Sequence, residues 1–160
     1  MNKTFRLIAL LVCAITPLLW CHRAAAQEPQ GLTLARLDTW LRGYEVAWET
    51  LDAGKAVSLF TKDATYLDDP YTKPYQGREG ISKYWTDVTS DQKDVNFTYE
   101  VLAVTGKTGI AHWHAEFTQP SSGSTVILDG IFVLDFAPDG LCRNLKEWWQ
   151  IKINPPAKGN

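Results

Sequence analysis

Helical periodicity in the first half of the chain and alternating strands in the second predict an α+β domain whose helices cover one face of an antiparallel sheet. Three observations carry this. Leu34, Leu37, Leu41, Tyr44, Trp48 and Leu51 recur at steps of three and four, the spacing of one helix face. From Val95 onward the apolar period switches to two. The alternating runs are separated by short segments carrying the Gly and Pro that hairpin turns need.

Residues 1–26 read as an export signal outside the fold. Lys3 and Arg6 precede an apolar run over residues 7–20, and Cys21-His22-Arg23-Ala24-Ala25-Ala26 supplies an A-x-A-type cleavage site before Gln27. The run falls short of the roughly 20 residues that span a bilayer, so no membrane anchor is expected after cleavage. The expectation is a single domain over residues 27–160, ordered from about 32 to 153, in a periplasmic or secreted location.

The long helix over the Leu34 to Leu51 stripe is expected to stop at Gly54, and a short second helix covers residues 55–60. A strand over residues 64–68 then runs into Asp69-Pro70, which breaks the ladder. A third helix over about residues 80–88 buries Ile81, Tyr84, Trp85 and Val88. Strands follow over residues 95–104, 110–119, 125–136 and 141–153, joined by turns at 105–109, 120–124 and 137–140.

A slip of one residue turns every side chain of a strand to the other face, so matching apolar faces fixes the register. The helix-covered face then holds Val95, Phe97, Tyr99, Val101 and Ala103, with Ala111, Trp113, Ala115 and Phe117 beside them. Leu128, Gly130, Phe132, Leu134 and Phe136 come next, and Leu141, Arg143, Leu145, Glu147, Trp149 and Ile151 complete the face. The opposite face mixes His112, His114, Glu116, Asp129 and Lys146 with Leu102, Ile131, Val133 and Trp148, which reads as a partner surface.

Composition excludes several classes of function. The 160 residues carry a net charge of −2, and removal of Lys3, Arg6 and Arg23 with the signal leaves −5, so no basic surface is available for nucleic acid. With 45% hydrophobic and 12% aromatic residues the chain has enough apolar surface to fold. After cleavage Cys142 is the one remaining cysteine, so no internal disulfide braces the domain. No Gly-x-Ser-x-Gly, Walker or dinucleotide glycine pattern occurs.

Glu147 is the odd residue on the covered face, placed opposite Gly130 between Leu145 and Trp149. A carboxyl there is costly unless paired or protonated, which leaves a functional group or a salt bridge to Arg143 as the alternatives. Tyr44 lies on the buried helix stripe, as a pocket donor or a plain core tyrosine. Asp68 and Asp69 close the first strand, where an acid looks into a cavity or caps a turn. His112-x-His114-x-Glu116 has the i, i+2, i+4 spacing of a metal site on one strand face. The preferred reading of these three is an ion-pair patch with Glu100 and Asp129, and no metal or other cofactor is assigned.

The run Tyr44-Glu-Val-Ala-Trp48, Leu59-Phe60-Thr-Lys-Asp63-Ala64-Thr65-Tyr66, Asp68-Asp69-Pro70, Gly77 and Ile81-x-x-Tyr84-Trp85, followed by a hairpin sheet ending at Asp139-Gly140 and Glu147-Trp148-Trp149, resembles the nuclear transport factor 2-like superfamily, its SnoaL-like branch above all. The resemblance covers nearly all of residues 27–160. It implies a cone, with a curved antiparallel sheet wrapped around three N-terminal helices, an apolar pocket between them, and homodimers through the open sheet face. In related ketosteroid isomerases a helix-one tyrosine is the oxyanion donor, a first-strand aspartate the base and a later protonated aspartate the second donor. Tyr44 matches the first and Asp68 the second, with Asp69 a rival; the third falls on Phe132, and Glu147 from the neighbouring strand is its substitute. Epoxide-hydrolase relatives need an Asp-Arg-Asp set, of which Arg143 and Glu147 are a partial echo.

The function expected is binding of a small hydrophobic molecule, with acid–base chemistry of the isomerase, cyclase-like lyase or hydrolase kind left open against a non-catalytic carrier or a dimeric interaction module. Asp68 is the expected proton acceptor, Tyr44 the oxyanion donor and Glu147 a third polar group. Trp48, Tyr66, Asp69, Trp85, Trp113 and Phe132 are the expected substrate contacts.

Overall fold

The computed structural model describes residues 31–156, so the expected export signal lies outside the described residues. Nine elements follow in order: α1 (Leu34–Glu49), α2 (Ala53–Ser58), β1 (Phe60–Leu67), β2 (Tyr75–Gln76), α3 (Gly77–Thr89), β3 (Lys93–Thr105), β4 (Thr108–Gln119), β5 (Ser124–Phe136) and β6 (Cys142–Asn154). The strands form one curved, unclosed sheet in the order β2-β1-β6-β5-β4-β3. It is mixed and not wholly antiparallel, because β1 runs parallel to β6. That pairing joins strands far apart in sequence, and no local pattern announces it.

Thr33 caps α1, its Oγ1 accepting from Arg36 N at 3.2 Å. The buried face of α1 holds Leu37, Trp40, Leu41, Tyr44, Ala47 and Trp48, while Leu34, expected inside, is 64% exposed. The helix ends before Gly54: Leu51 takes φ +52, and Asp52 caps α2 by accepting from Lys55 N at 3.0 Å. Gly54 therefore sits inside α2 and is not the stop. α1 packs against β3, and α3 packs against β1. Ile81, Tyr84 and Trp85 of α3 are buried as expected, and Val88 is 38% exposed.

The register of the meander places Trp113 against Gly130, Ala111 against Phe132 and Leu134 against Leu145. Glu147 is paired with Phe132, and Gly130 faces Trp149, one pair away from the expected arrangement. Two irregularities shift the ends of the expected face. The one between Val101 and Ala103 exposes Ala103 and turns Val104 toward the core. The one between Asp135 and Phe136 brings Cys142 inward and leaves Arg143 exposed. Cys142 is fully buried there, its thiol donating to the Asn144 carbonyl at 3.4 Å.

The core between helices and sheet is aromatic. Tyr44 is its hub, with ring centroids 5.1 Å from both Trp85 and Phe132 and 5.3 Å from Trp40. Each such pair adds about 0.5–1.5 kcal/mol beyond the apolar area it buries. Among the described residues no helix is long and apolar enough to cross a membrane.

Candidate active site

The parallel pairing of β1 with β6 builds the site. Tyr66 lies opposite Leu145 and Leu67 opposite Lys146, so one further step along the two strands sets Asp68 level with Glu147. Tyr66 and Glu147 point inward, 1% and 3% exposed. Asp68 follows the last residue of β1, at the open end of the strand. Pro70 prevents the ladder from continuing past this point, which leaves Asp68 free to face the interior.

The polar groups form one hydrogen-bonded chain. Tyr66 donates to Glu147 Oε1 at 2.8 Å, and the Tyr44 and Tyr66 hydroxyls are 2.8 Å apart. A phenol has one proton, so with that of Tyr66 spent on Glu147, Tyr44 donates to Tyr66. From the other side Tyr84 donates to Asp68 Oδ1 at 2.7 Å, and Trp149 Nε1 donates to the Asp68 carbonyl at 3.1 Å. Burial holds the Glu147 carboxyl well above the usual carboxylate range. The charge of nearby Asp68 and a hydrogen bond to it act in the same direction, and the bond from Tyr66 opposes them. Burial likewise pushes Tyr44, Tyr66 and Tyr84 well above the ordinary phenol value, with the Glu147 charge next in each case, so all three remain neutral donors. The protons thus point one way, from Tyr44 through Tyr66 and protonated Glu147 to Asp68.

These groups close one end of a cavity of about 210 Å³. Its walls are mostly apolar: Trp48, Trp85, Trp113, Phe117, Leu128 and Trp149, with half-exposed Ile151 and Val88 among them. Of the residues singled out in the sequence, Tyr44, Trp48, Tyr66, Asp68, Trp85, Trp113 and Glu147 line this cavity. Asp69 does not: its Oδ1 takes the Tyr71 amide at 2.6 Å and its carbonyl the Thr72 amide at 3.1 Å, so it is spent on the turn that Pro70 begins. Phe132 lies beneath the wall, stacked on Trp113 at 5.2 Å, and is part of the core. The alternative of a Glu147 to Arg143 salt bridge fails, because the β5–β6 irregularity turns Arg143 outward. Tyr84 and Gln92 are functional candidates that sequence patterning did not reveal. Tyr84 read as an ordinary core position, and Gln92 lies past the end of α3 with no periodic signal.

A raised acid pKa fixes the sign of a pH effect on stability. A carboxyl whose folded value exceeds its unfolded one stabilises the fold below the unfolded value and loses that contribution as pH rises through the folded one. Gln at 147 keeps an acceptor for Tyr66 and a donor for Asp68 without ever ionising. Glu147→Gln is therefore expected to match the wild type near pH 4 and to be more stable in the alkaline range, by about 1–3 kcal/mol, the scale for relieving one buried unsatisfied group. Chemical denaturation at a series of pH values checks this, and a gap between the two proteins that does not widen with pH contradicts it.

On the outer face Asp129 Oδ2 lies 3.0 Å from His112 Nε2 and 3.5 Å from His114 Nδ1. The hydrogen bond from His112 holds Asp129 below the usual carboxylate range. Of the patch expected there, the two histidines meet Asp129, while Glu100 and Glu116 make no side-chain hydrogen bond or ion pair with them among the described residues. Among the described residues no group of three or more His, Cys, Asp or Glu is arranged to hold a metal ion.

Comparison with known proteins places this architecture. Residues 40–144 match the SnoaL-like domain family model. Among solved structures, the epoxide hydrolase/cyclase-like enzyme SalBIII, described in pyran ring formation in the polyether salinomycin, superimposes with a TM-score of 0.64 at 20% identity, covering 74% of this chain and 95% of its own. A putative isomerase from Bacillus subtilis gives 0.65 at 18% identity, covering 72% and 87%. A computationally designed 17-OHP binder gives 0.64 at 15%, covering 74% and 96%. At these identities the likeness is one of fold. No curated protein matches the chain in sequence. With the family model spanning most of the domain and the curved sheet closing over an inward-facing cavity, this chain belongs to the SnoaL-like domain family.

Proposed function

We propose that the chain is an exported pocket protein that binds a compact hydrophobic molecule and moves a proton on it, with Asp68 as the base. The observation that carries the reading is the direction of the hydrogen bonds: Tyr84 and the Glu147 carboxyl both give protons toward the Asp68 side chain, at the end of an apolar cavity. In such a site Asp68 removes a proton from a carbon next to a carbonyl, and the resulting enolate needs a donor within reach. Tyr44, whose proton is committed to Tyr66, supports the relay from behind. Tyr84 already contacts Asp68, and its hydroxyl is released to the enolate oxygen once Asp68 takes up the proton. A proton delivered to Asp68 then returns to the substrate at the same or a neighbouring carbon, which is an isomerase-type 1,3-shift. A hydrolase of the Asp-Arg-Asp kind is the weaker reading, since Arg143 is exposed and absent from the cavity wall.

The names of the structural neighbours, a cyclase-like enzyme, a putative isomerase and a small-molecule binder, support a pocket that takes ligands of this type. The test is hydrogen–deuterium exchange at the α-carbon of aryl and cyclic ketones, followed by NMR in the purified domain. Exchange is expected in the wild type and lost in Asp68→Asn; exchange that survives the substitution overturns the assignment.

A further inference from the structure

The cavity has a second polar region that the proton relay does not use. Trp48 lies one helical turn beyond Tyr44 on α1, and its Nε1 donates to Gln92 Oε1 at 2.8 Å. An indole N–H can only donate, so it fixes which end of the Gln92 amide faces it: the oxygen turns toward Trp48 and the two amide protons turn elsewhere. Gln92 lines the cavity, and its Nε2 donates to no protein group among the described residues. It lies eight residues beyond Tyr84, past the end of α3, and so away from the carboxyl pair that Tyr84 contacts.

Two further donors lie close by. The indole N–H groups of Trp85 and Trp113 are buried without an acceptor, both residues line the cavity, and both pack on Trp48 with ring centroids at 5.9 and 5.7 Å. A buried donor left unpaired costs about 1–3 kcal/mol. These two indole N–H groups are sealed behind the wall, so Gln92 Nε2 is the open donor beside Trp48, the complement of the end where Asp68 sits.

We propose that the ligand carries a hydrogen-bond-accepting oxygen on the side away from its reacting carbon, received by Gln92 Nε2, which makes Gln92 the specificity-determining residue of the cavity. This rests on the acid–base reading of the Asp68 end. The ligand class that fits is a single substituted ring with one carbonyl at the reacting end and a second acceptor across the ring. Size agrees, since a cavity of roughly 150 Å³ admits benzene and this one measures about 210 Å³.

The probes are 1,4-diacetylbenzene and 4-isopropylacetophenone, which share the reacting acetyl group, match in size and differ in the far acceptor. Titration of the purified domain by tryptophan fluorescence is expected to give about tenfold tighter binding of the diketone, the value of one hydrogen bond to an otherwise unpaired group. Gln92→Glu keeps an acceptor for Trp48 but cannot donate, and it is expected to erase that preference. Gln92→Leu, which adds no charge, is expected to do the same. Equal affinities in the wild type, failure of the diketone to bind, or a preference that survives both substitutions overturns the inference. Exchange of the acetyl protons of 4-isopropylacetophenone by the wild-type protein, and its loss in Asp68→Asn, report the acid–base reading alone, so exchange by a wild type that binds both probes equally shows that the acid–base reading stands when this one fails.

Discussion

Gly130→Val is expected to abolish folding under native conditions. Trp113 lies directly over Gly130, and a Cβ at this position meets Trp113 Cζ2 at 2.7 Å, Trp113 Cε2 at 2.8 Å and the Trp148 carbonyl oxygen at 2.7 Å. The last of these is backbone of the paired strand and cannot move without opening the β5–β6 ladder. The indole has no room either, because it is stacked on Phe132 at 5.2 Å and packed on Trp48 at 5.7 Å. Overpacking a dense core costs about 1–3 kcal/mol for one added methylene and more where backbone must shift. The branched side chain of valine approaches the whole stability of a small domain, about 5–15 kcal/mol. Gly130→Ala is the graded version, expected to remain folded with a stability loss of about 3 kcal/mol. Near-ultraviolet circular dichroism of the tryptophan cluster and urea unfolding measure both, and a Gly130→Val protein with native signal and midpoint contradicts the close packing.

Asp68→Asn is expected to lower ketone α-proton exchange by roughly 10²–10⁴, the range that a positioned general base contributes. Asparagine keeps the shape of the site. Its oxygen still accepts from Tyr84, its amide nitrogen can only donate and so meets Glu147 as an acceptor, and the basic oxygen is gone. Ligand affinity should therefore change little as the rate falls, and that separation distinguishes loss of a base from loss of a fold. Glu147→Gln is the matched control, because the amide reproduces both hydrogen bonds of the protonated acid and exchange is expected to persist. Were Glu147→Gln inactive and Asp68→Asn active, the two carboxyls would have the opposite roles.

Much of this site is legible in the sequence. Glu147 declared itself because a carboxyl in an alternating apolar strand has no cheap explanation, and Tyr44 because it sits on a helix stripe at core spacing. Those signals are local. What joins them is not: Tyr66 and Glu147 are 81 residues apart, and they meet only because β1 inserts parallel to β6. Periodicity places Tyr66 and Tyr84 on inward faces but says nothing of the partner of a hydroxyl. Pattern therefore gives Tyr66 as a substrate contact and Tyr84 as a buried helix position, and both are donors in the structure. Arg143 was misplaced for a related reason. Regular alternation through residues 141–145 puts it inside, and the irregularity opposite Phe136 reverses the faces there. Asp69 shows the competing force at a turn, where the bond to the Tyr71 amide outweighs any contact in the cavity.

That same irregularity gives the thiol of Cys142 an unintended use. It is sealed beneath the sheet, and burial pushes it well above the ordinary thiol value, so neither oxidants nor a second chain can reach it as a thiolate while the fold is closed. In a chain that begins at Gln27 it is the single cysteine. Its rate of labelling by a thiol reagent then clocks the opening of the sheet where β6 meets β1 and β5, which makes this residue a native gauge of how often the core opens.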